Sequence, residues 1–283
     1  MLIQTPQLDS QQLIALDLLS ASCKKTDGNL PAIYRHLLGK DRGRPANILY
    51  YMDPSDETRL TAFLGAFFFY EKSCEIGLMV APECRRQGIA SKMIKTMLPL
   101  IKAEDVETLV FSSPHRLNDD WLSSMGLHYQ GSEFQMQRHN QEPIALPKIS
   151  DSIRLATQRD IPALCAIDNA CFPTQNISMP ARFQNILNDP ANCLFIIEQA
   201  NIPVGKAHLS WQTHGARLSD IAILPSLQRR GLGTVLLAHC INHALGEHKS
   251  EIILDVETTN RQALDLYTRL GFIINNAHDY FGH

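Results

Sequence analysis

Residues 218–233 read LSDIAILPSLQRRGLG, and residues 75–90 read EIGLMVAPECRRQGIA. In each stretch an apolar run ends at a proline, Pro225 or Pro82, and six residues later comes a glycine, Gly231 or Gly88. Both pairs are offset equally, by about half of the 283-residue chain. Each copy continues into an apolar helix-like run, then a strand, then a helix containing Trp or Tyr. That helix ends at Met125-Gly126-Leu127 or Leu270-Gly271-Phe272. Self-similarity at this period predicts two copies of one domain.

The length suits two domains, each large enough to bury a core. Net charge is -3, and no basic block exceeds a few residues, so neither nucleic acid nor a membrane surface is expected as partner. Seven scattered cysteines, an odd count without paired spacing, suit a reducing compartment, and a cytoplasmic location is expected. The N-terminus lacks the pattern of a signal peptide. The longest apolar segment, residues 60–70, is too short to span a bilayer and predicts a buried strand, with Phe67, Phe68, Phe69 and Tyr70 as sheet core.

Working outward, residues 10–38 show helical spacing, DRGRP (41–45) a turn, and 47–53 with 60–70 a hairpin. Residues 75–81 predict a strand, 89–100 a helix stopped near Pro99, 106–112 a strand, 117–125 a short helix and 128–138 a last strand. Two prolines and little periodicity mark 141–151 as a linker between domains 1–140 and 152–283. In the second domain Asp160 precedes Ile161-Pro162 as a cap. Helices follow over 160–167, 180–188, 231–245 and 260–271. Strands alternate with them over 192–211, 217–225, 250–258 and the C-terminal FIINNAHDYF.

The glycine loops suggest an anion site. Glycine lets backbone N–H groups turn toward a ligand, and a helix N-terminus adds unpaired donors and a favourable dipole. Arg229 and Arg230 add charge, as Arg85 and Arg86 do in the other copy. The plainer reading is a helix start with two solvent-facing arginines, which does not require repetition. The spacing is neither a dinucleotide fingerprint nor a phosphate-binding GK[ST] loop.

This order of elements resembles the GCN5-related N-acetyltransferase (GNAT) family, over residues 150–283 and in looser form over 1–138. The resemblance implies an α+β fold with α/β/α layering: two tandem domains, each a mixed, mostly antiparallel, splayed sheet flanked by helices. It implies acetyl-CoA as cofactor, with Gln228, Arg229, Arg230, Gly231, Leu232, Gly233 and Thr234 holding the pyrophosphate. Backbone groups of Ile221, Ala222 and Ile223 would meet the pantetheine arm. Arg85, Arg86, Gln87, Gly88, Ile89 and Ala90 form the matching loop of the first half. The implied function is acetyl-CoA-dependent N-acetyl transfer to a primary amine, a small molecule or a protein N-terminus, by a monomer or homodimer. The segments SDIAILPSLQRRGLGTVLL and LDVETTNRQALDLYTRLGF are similar to the subgroup that acetylates ribosomal-protein and other N-terminal amines. A non-catalytic acyl-CoA-binding or scaffolding protein, and a transferase of longer acyl groups, are the alternatives.

Acetyl transfer needs a neutral amine, a polarised carbonyl and a protonated leaving thiolate. In LDVETTNRQALDLYTRLGF, Tyr267 stands where the family places the acid, and Asn260 is both a cap and a cofactor contact. Asp255 is the first candidate base; where that subgroup often carries Glu, the shorter chain would work through water. Asp220 is the competing base, and Tyr280 and Phe281 are candidates to line the acceptor channel. Counting back from the glycine of the Met-Gly-Leu or Leu-Gly-Phe element, Tyr267, Asn260 and Asp255 correspond to Leu122, His115 and Val110. The first half is therefore expected to be non-catalytic, with Glu75 its one remaining candidate base. Histidines 208, 214, 239 and 243 lack metal spacing, and no metal is expected.

Overall fold

The computed structural model describes residues 2–39, 45–69, 72–145, 152–172, 179–212 and 215–283. The 41–44 part of the DRGRP turn, Tyr70, His214 and the linker stretch 146–151 lie outside the described residues. The chain forms two compact units, Met1–Phe134 with Asn276–His283, and Gln135–Asn275.

In chain order the elements are β1 Leu2–Thr5, α1 Ser10–Asp27, α2 Arg35–Leu38, β2 Ile48–Asp53, β3 Asp56–Phe68, β4 Ser73–Val80, α3 Ile89–Ala103, β5 Thr108–Pro114, α4 Asp119–Ser124 and β6 His128–Arg138. The second copy has β7 Ser152–Leu155, α5 Ile161–Cys171, α6 Met179–Asn188, β8 Asn192–Gln199, β9 Ile202–Trp211, β10 Gly215–Ile223, α7 Leu232–Gly246, β11 Glu251–Glu257, α8 Arg261–Arg269 and β12 Ile273–Gly282.

Two helices depart from expectation. The helix expected over 10–38 starts with a capping box between Asp9 and Gln12 and stops at Gly28. Gly28 takes a positive φ of 78°, and its N–H closes on the Lys24 carbonyl at 2.8 Å. Pro99 does not end α3. The helix continues to Ala103, because Met93, Ile94, Met97 and Ile101 form one buried stripe that carries past the proline. The tertiary burial outweighs the one lost backbone bond.

Both sheets are mixed and mostly antiparallel. In the first unit β1–β2, β2–β3, β3–β4 and β5–β12 are antiparallel, and β4–β5 is parallel. In the second, β7–β8, β8–β9 and β9–β10 are antiparallel, β10–β11 is parallel, and β6 lies beside β11. The parallel pairs splay. β4 and β5 stay in register only over Ser73–Gly77, and β10 and β11 only over Gly215–Arg217.

The units do not follow the division into 1–140, 141–151 and 152–283. β6 passes from the first unit to the second at Phe134/Gln135, and the last eight residues return to the first. Residues His278–Gly282 of β12 pair with Val110–Pro114 of β5. Phe281, 2% exposed, packs in a core with Leu64, Ile76, Met97 and Phe111. Burial of a phenylalanine contributes about 2–3 kcal/mol, which fixes this end of the chain in the first unit. Tyr280 and Phe281 therefore lie in the first unit, away from the acceptor side of the second that the sequence assigned them. The 139–145 stretch is fastened in the second unit. Arg138 donates to the Leu270 carbonyl at 2.9 Å and the Glu142 carbonyl at 2.8 Å, and Asn242 bonds both backbone groups of Ile144 at 2.8 Å.

Candidate active site

The two glycine loops have one backbone. After the strand, Pro82–Cys84 and Pro225–Leu227 form a single 3-10 turn. Arg86 and Arg229 then take φ of 62° and 61°, and Gly88 and Gly231 take 78° and 86° as N-caps of α3 and α7. Neither helix has a side-chain cap, so the first-turn N–H groups, among them those of Leu232, Gly233 and Thr234, are left to an outside acceptor. A Cβ at Gly231 or Gly88 would meet nothing within 4 Å. The glycine is needed for its backbone angle, and the space above it is open. At Gly233 a Cβ would meet Leu266 at 3.6 Å and Ile223 at 3.9 Å, which are ordinary contacts. This explains why the matching position of the first loop is Ala90. Arg86, Gln87, Arg229 and Arg230 are exposed around the loops. Open glycine, uncapped N–H groups and flanking arginines fit a pyrophosphate.

Position 85/228 has a different task. Gln228 donates to the Ile223 carbonyl at 3.0 Å, and Arg85 donates through Nε to the Val80 carbonyl at 2.9 Å. Arg85 also forms a two-pronged pair with Asp27 at 2.7 Å, so its guanidinium is turned inward from the anion cradle. A cysteine thiol reaches the same carbonyl in each copy, Cys171 to Ile223 at 3.4 Å and Cys23 to Val80 at 3.6 Å.

Beyond the splay, Ile221–Ile223 have no β11 partner in the register. A bulge between Ser219 and Ala222 re-aims this stretch, with Asp220 at φ 50°.

Tyr267 on α8 is 7% exposed and packs edge-on to Phe272 at 6.1 Å between ring centres. Burial pushes its phenol up to about 12, so it holds its proton throughout the neutral range. No hydrogen-bond partner for the hydroxyl is found among the described residues. The preceding residue, Leu266, is the one that lies beside Gly233 of the loop. Asn260 caps α8, accepting from the Ala263 N–H at 3.1 Å.

Both candidate bases are engaged. Asp255 is paired with Arg217 and accepts from Gln135 Nε2 at 3.5 Å. Asp220 is paired with Arg182 and lies 3.7 Å from His208 Nδ1. Burial pushes the Asp220 carboxyl upward, but His208, Lys206 and Arg182 together outweigh it and hold Asp220 well below the usual carboxylate range. It is a fixed counter-ion, poorly suited to take a proton. Behind it, the fully buried Lys206 pairs with the fully buried Asp168 at 2.6 Å, and Arg182 bridges Asp168 at 3.3 Å to Asp220. Phe172 and Phe183 stand 5.7 and 5.2 Å from Lys206 Nζ. His208 completes the cluster, with Nε2 2.9 Å from Asn192 Oδ1 and Nδ1 3.2 Å from Ser219 Oγ. Arg182, Lys206, His208 and Arg217 were missed by the sequence reading as site residues. The signal present was the period of two on β9, which sets 206 and 208 opposite Ala222 and Ser219.

In the first unit Leu122 is core, and Val110 is half-buried in β5. His115 pairs with Asp279 at 2.7 Å. Glu75 accepts from the Tyr34 hydroxyl at 2.9 Å. A cavity of about 650 Å³ beside α1, lined by Gln12, Ile14, Leu18 and Tyr50, contains none of the predicted site residues. Among the described residues no group of three or more His, Cys, Asp or Glu is placed to hold a metal, and no helix is long and apolar enough to cross a membrane.

The comparisons with known proteins agree with this geometry. The model of the acetyltransferase (GNAT) family matches residues 16–119 and 161–272. The mycothiol acetyltransferase of Mycobacteroides abscessus is 29% identical over 293 residues, covering 95% of each chain. The ribosomal protein bS18-alanine N-acetyltransferase of Salmonella typhimurium is 42% identical over 57 residues, 20% of this chain and 38% of that one. A GCN5-related N-acetyltransferase structure from Sphaerobacter thermophilus superposes with a TM-score of 0.78 at 15% identity, covering 100% of this chain and 95% of that chain. The chain belongs to the GNAT acetyltransferase family and carries two copies of its domain. Its general activity is acetyl-CoA-dependent acetyl transfer.

Proposed function

We propose that the second unit is the catalytic one and that it moves an acetyl group to a primary amine by direct transfer. The observation that carries this reading is Tyr267: a buried, protonated phenol without a hydrogen-bond partner among the described residues, one residue from the side chain touching the glycine loop. The first unit has Leu122 at that place.

Gly231–Thr234 N–H groups, with Arg229 and Arg230, hold the pyrophosphate of acetyl-CoA. Ile221–Ile223 offer backbone groups to its arm. Acetyl-CoA supplies an activated thioester. Tyr267 donates a proton to the departing sulfur, a role that a phenol raised by burial fills at any physiological pH. Asp255 and Asp220, held by Arg217 and Arg182, set the field around the acceptor amine and act on its proton through water. His208, joined to Ser219 and Asn192, is the neighbouring group whose side-chain type exchanges protons in the neutral range. The resemblance to enzymes acting on an amine, mycothiol acetyltransferase and bS18-alanine N-acetyltransferase among them, supports the amine as acceptor class.

The test is release of free thiol from acetyl-CoA in the presence of an amine panel. Tyr267→Phe is expected to lower kcat by about 10²–10³-fold with little change in KM for acetyl-CoA. Unchanged kcat would remove Tyr267 from the chemistry and return the first unit to contention.

A further inference from the structure

The first unit contains a second polar cluster that the proposed transfer does not use. Tyr34, from the segment after α1, donates to Glu75 Oε2 at 2.9 Å on β4. Tyr280, from β12, donates to Glu133 Oε2 at 3.0 Å on β6. His278, two residues before Tyr280 and on the same strand face, has Nε2 3.0 Å from the Tyr280 oxygen and 3.5 Å from Glu133. Tyr280 is opposite Ser112 on β5, and β5 runs beside Glu75 on β4, so the elements meet on one sheet face. Tyr34, Glu75, Glu133 and Tyr280 are half-buried, and His278 is the floor, with its side chain 3% exposed.

The protons in this cluster can be counted. The single Tyr280 proton goes to Glu133, so the Tyr280 oxygen accepts from His278 Nε2–H. That fixes the imidazole as the neutral Nε2–H form and makes Nδ1 a bare acceptor. Nδ1 is buried and has no hydrogen-bond partner among the described residues. A buried acceptor without a donor costs about 1–3 kcal/mol, a penalty that an incoming N–H removes. Burial foremost, with Glu75, Tyr34 and Glu133 beside it, pushes the Tyr280 phenol far above its ordinary range, so it remains a donor. Glu133 has no Lys or Arg partner among the described residues. Tyr34 stacks edge-on with Phe67 and with the exposed Phe69, at 5.0 and 4.5 Å, giving the cluster an aromatic wall.

Acceptors thus outnumber donors, two carboxylates set the charge, and one side is aromatic. We propose that Tyr34, Glu75, Glu133, His278 and Tyr280 form a binding site in the first unit for a primary ammonium carried on an apolar or aromatic arm. The ammonium donates to His278 Nδ1 and to Glu133 and lies against the Tyr34–Phe69 wall. This site is separate from the transfer site of the second unit, and its readout is binding, so it stands or falls without turnover.

The probe is phenethylamine, with 2-phenylethanol as the uncharged control, titrated by calorimetry into the full-length protein. Glu133→Gln keeps the shape and removes the charge; phenethylamine binding is expected to weaken about tenfold or more, and 2-phenylethanol to show no binding. Wild-type protein labelled with 15N-histidine gives a reading independent of any folding defect in the variant. The His278 Nδ1 signal, identified by its absence in His278→Gln, is expected to move with phenethylamine and not with 2-phenylethanol. Equal affinity in Glu133→Gln, equal binding of the alcohol, or a stationary His278 signal would each overturn the site.

Discussion

In the second unit a glutamine, Gln228, ties the glycine loop to the end of its strand. In the first, Arg85 makes the same tie and continues inward to Asp27. The backbone angles of the two loops agree within 10° at both left-handed positions. What differs is the side chains that surround this frame. The second unit places a buried phenol on α8 and a charged network beneath the β10 bulge. The first places Leu122 at the matching position and a tyrosine–glutamate–histidine cluster elsewhere on its sheet. A duplicated frame can therefore keep its anion loop while its chemistry moves, because the loop depends on backbone angles and the chemistry on individual side chains.

The comparison can be broken most sharply at the two buried aspartates. Asp168→Ala leaves Lys206, which has no exposed surface, without its counter-ion, and is expected to cost about 3–5 kcal/mol. Asp27→Ala leaves Arg85, whose side chain is 31% exposed and free to turn outward, and is expected to cost only about 1–2 kcal/mol. Urea denaturation measures both; equal losses would mean that the Lys206 pair is no more buried in solution than the Arg85 pair.

A smaller effect separates the units at high pH. Tyr267 ionises near 12 in the folded chain against an ordinary value of 10.0. Between those values the folded state keeps a proton that the unfolded state has released. Its contribution is therefore whole below pH 10 and is lost as pH rises toward 12, by about 2–3 kcal/mol. Stability measured from pH 9 to 12 is expected to fall less steeply in Tyr267→Phe than in the wild type. An identical alkaline limb would show that the phenol is solvated.

The smallest contrast lies within one loop. Gly231→Ala forces a methyl-bearing residue to φ 86° and is expected to cost about 1–2 kcal/mol, with weaker acetyl-CoA binding. Gly233→Ala copies Ala90, meets only ordinary contacts, and is expected to stay within about 0.5 kcal/mol of wild type. Melting temperature and calorimetric affinity read both; a costly Gly233→Ala would mean that the second loop is more tightly closed than the first.

The loops were legible because their signal is local: an apolar strand, a proline and a glycine at fixed spacing. Tyr267 was legible for the same reason, in a helix whose ending repeats. The stop at Gly28 was hidden by apolar residues that continue past it with near-helical spacing. The passage through Pro99 was hidden because burial, not propensity, decided it. The Asp220 bulge breaks the period of two, so the sequence placed the aspartate on a regular strand. The Arg182–Asp168–Lys206 network joins α6, α5 and β9, and nothing short-range in the chain announces those partners. The assignment of Tyr280 and Phe281 failed for a related reason: the end of β12 closes the sheet of the other half.

That last feature bears on how the protein is made. During synthesis the first unit has its helices and β1–β5 well before Asn276–His283 exist, since the whole of Gln135–Asn275 is translated in between. At ordinary elongation rates this leaves β5 without its terminal neighbour for on the order of ten seconds. Over that interval an unpaired strand edge, a template for pairing with other chains, is open. The first domain to be translated is thus the last to be completed, and a ribosome that stalls short of the final codons releases a chain whose second unit is entire and whose first is not.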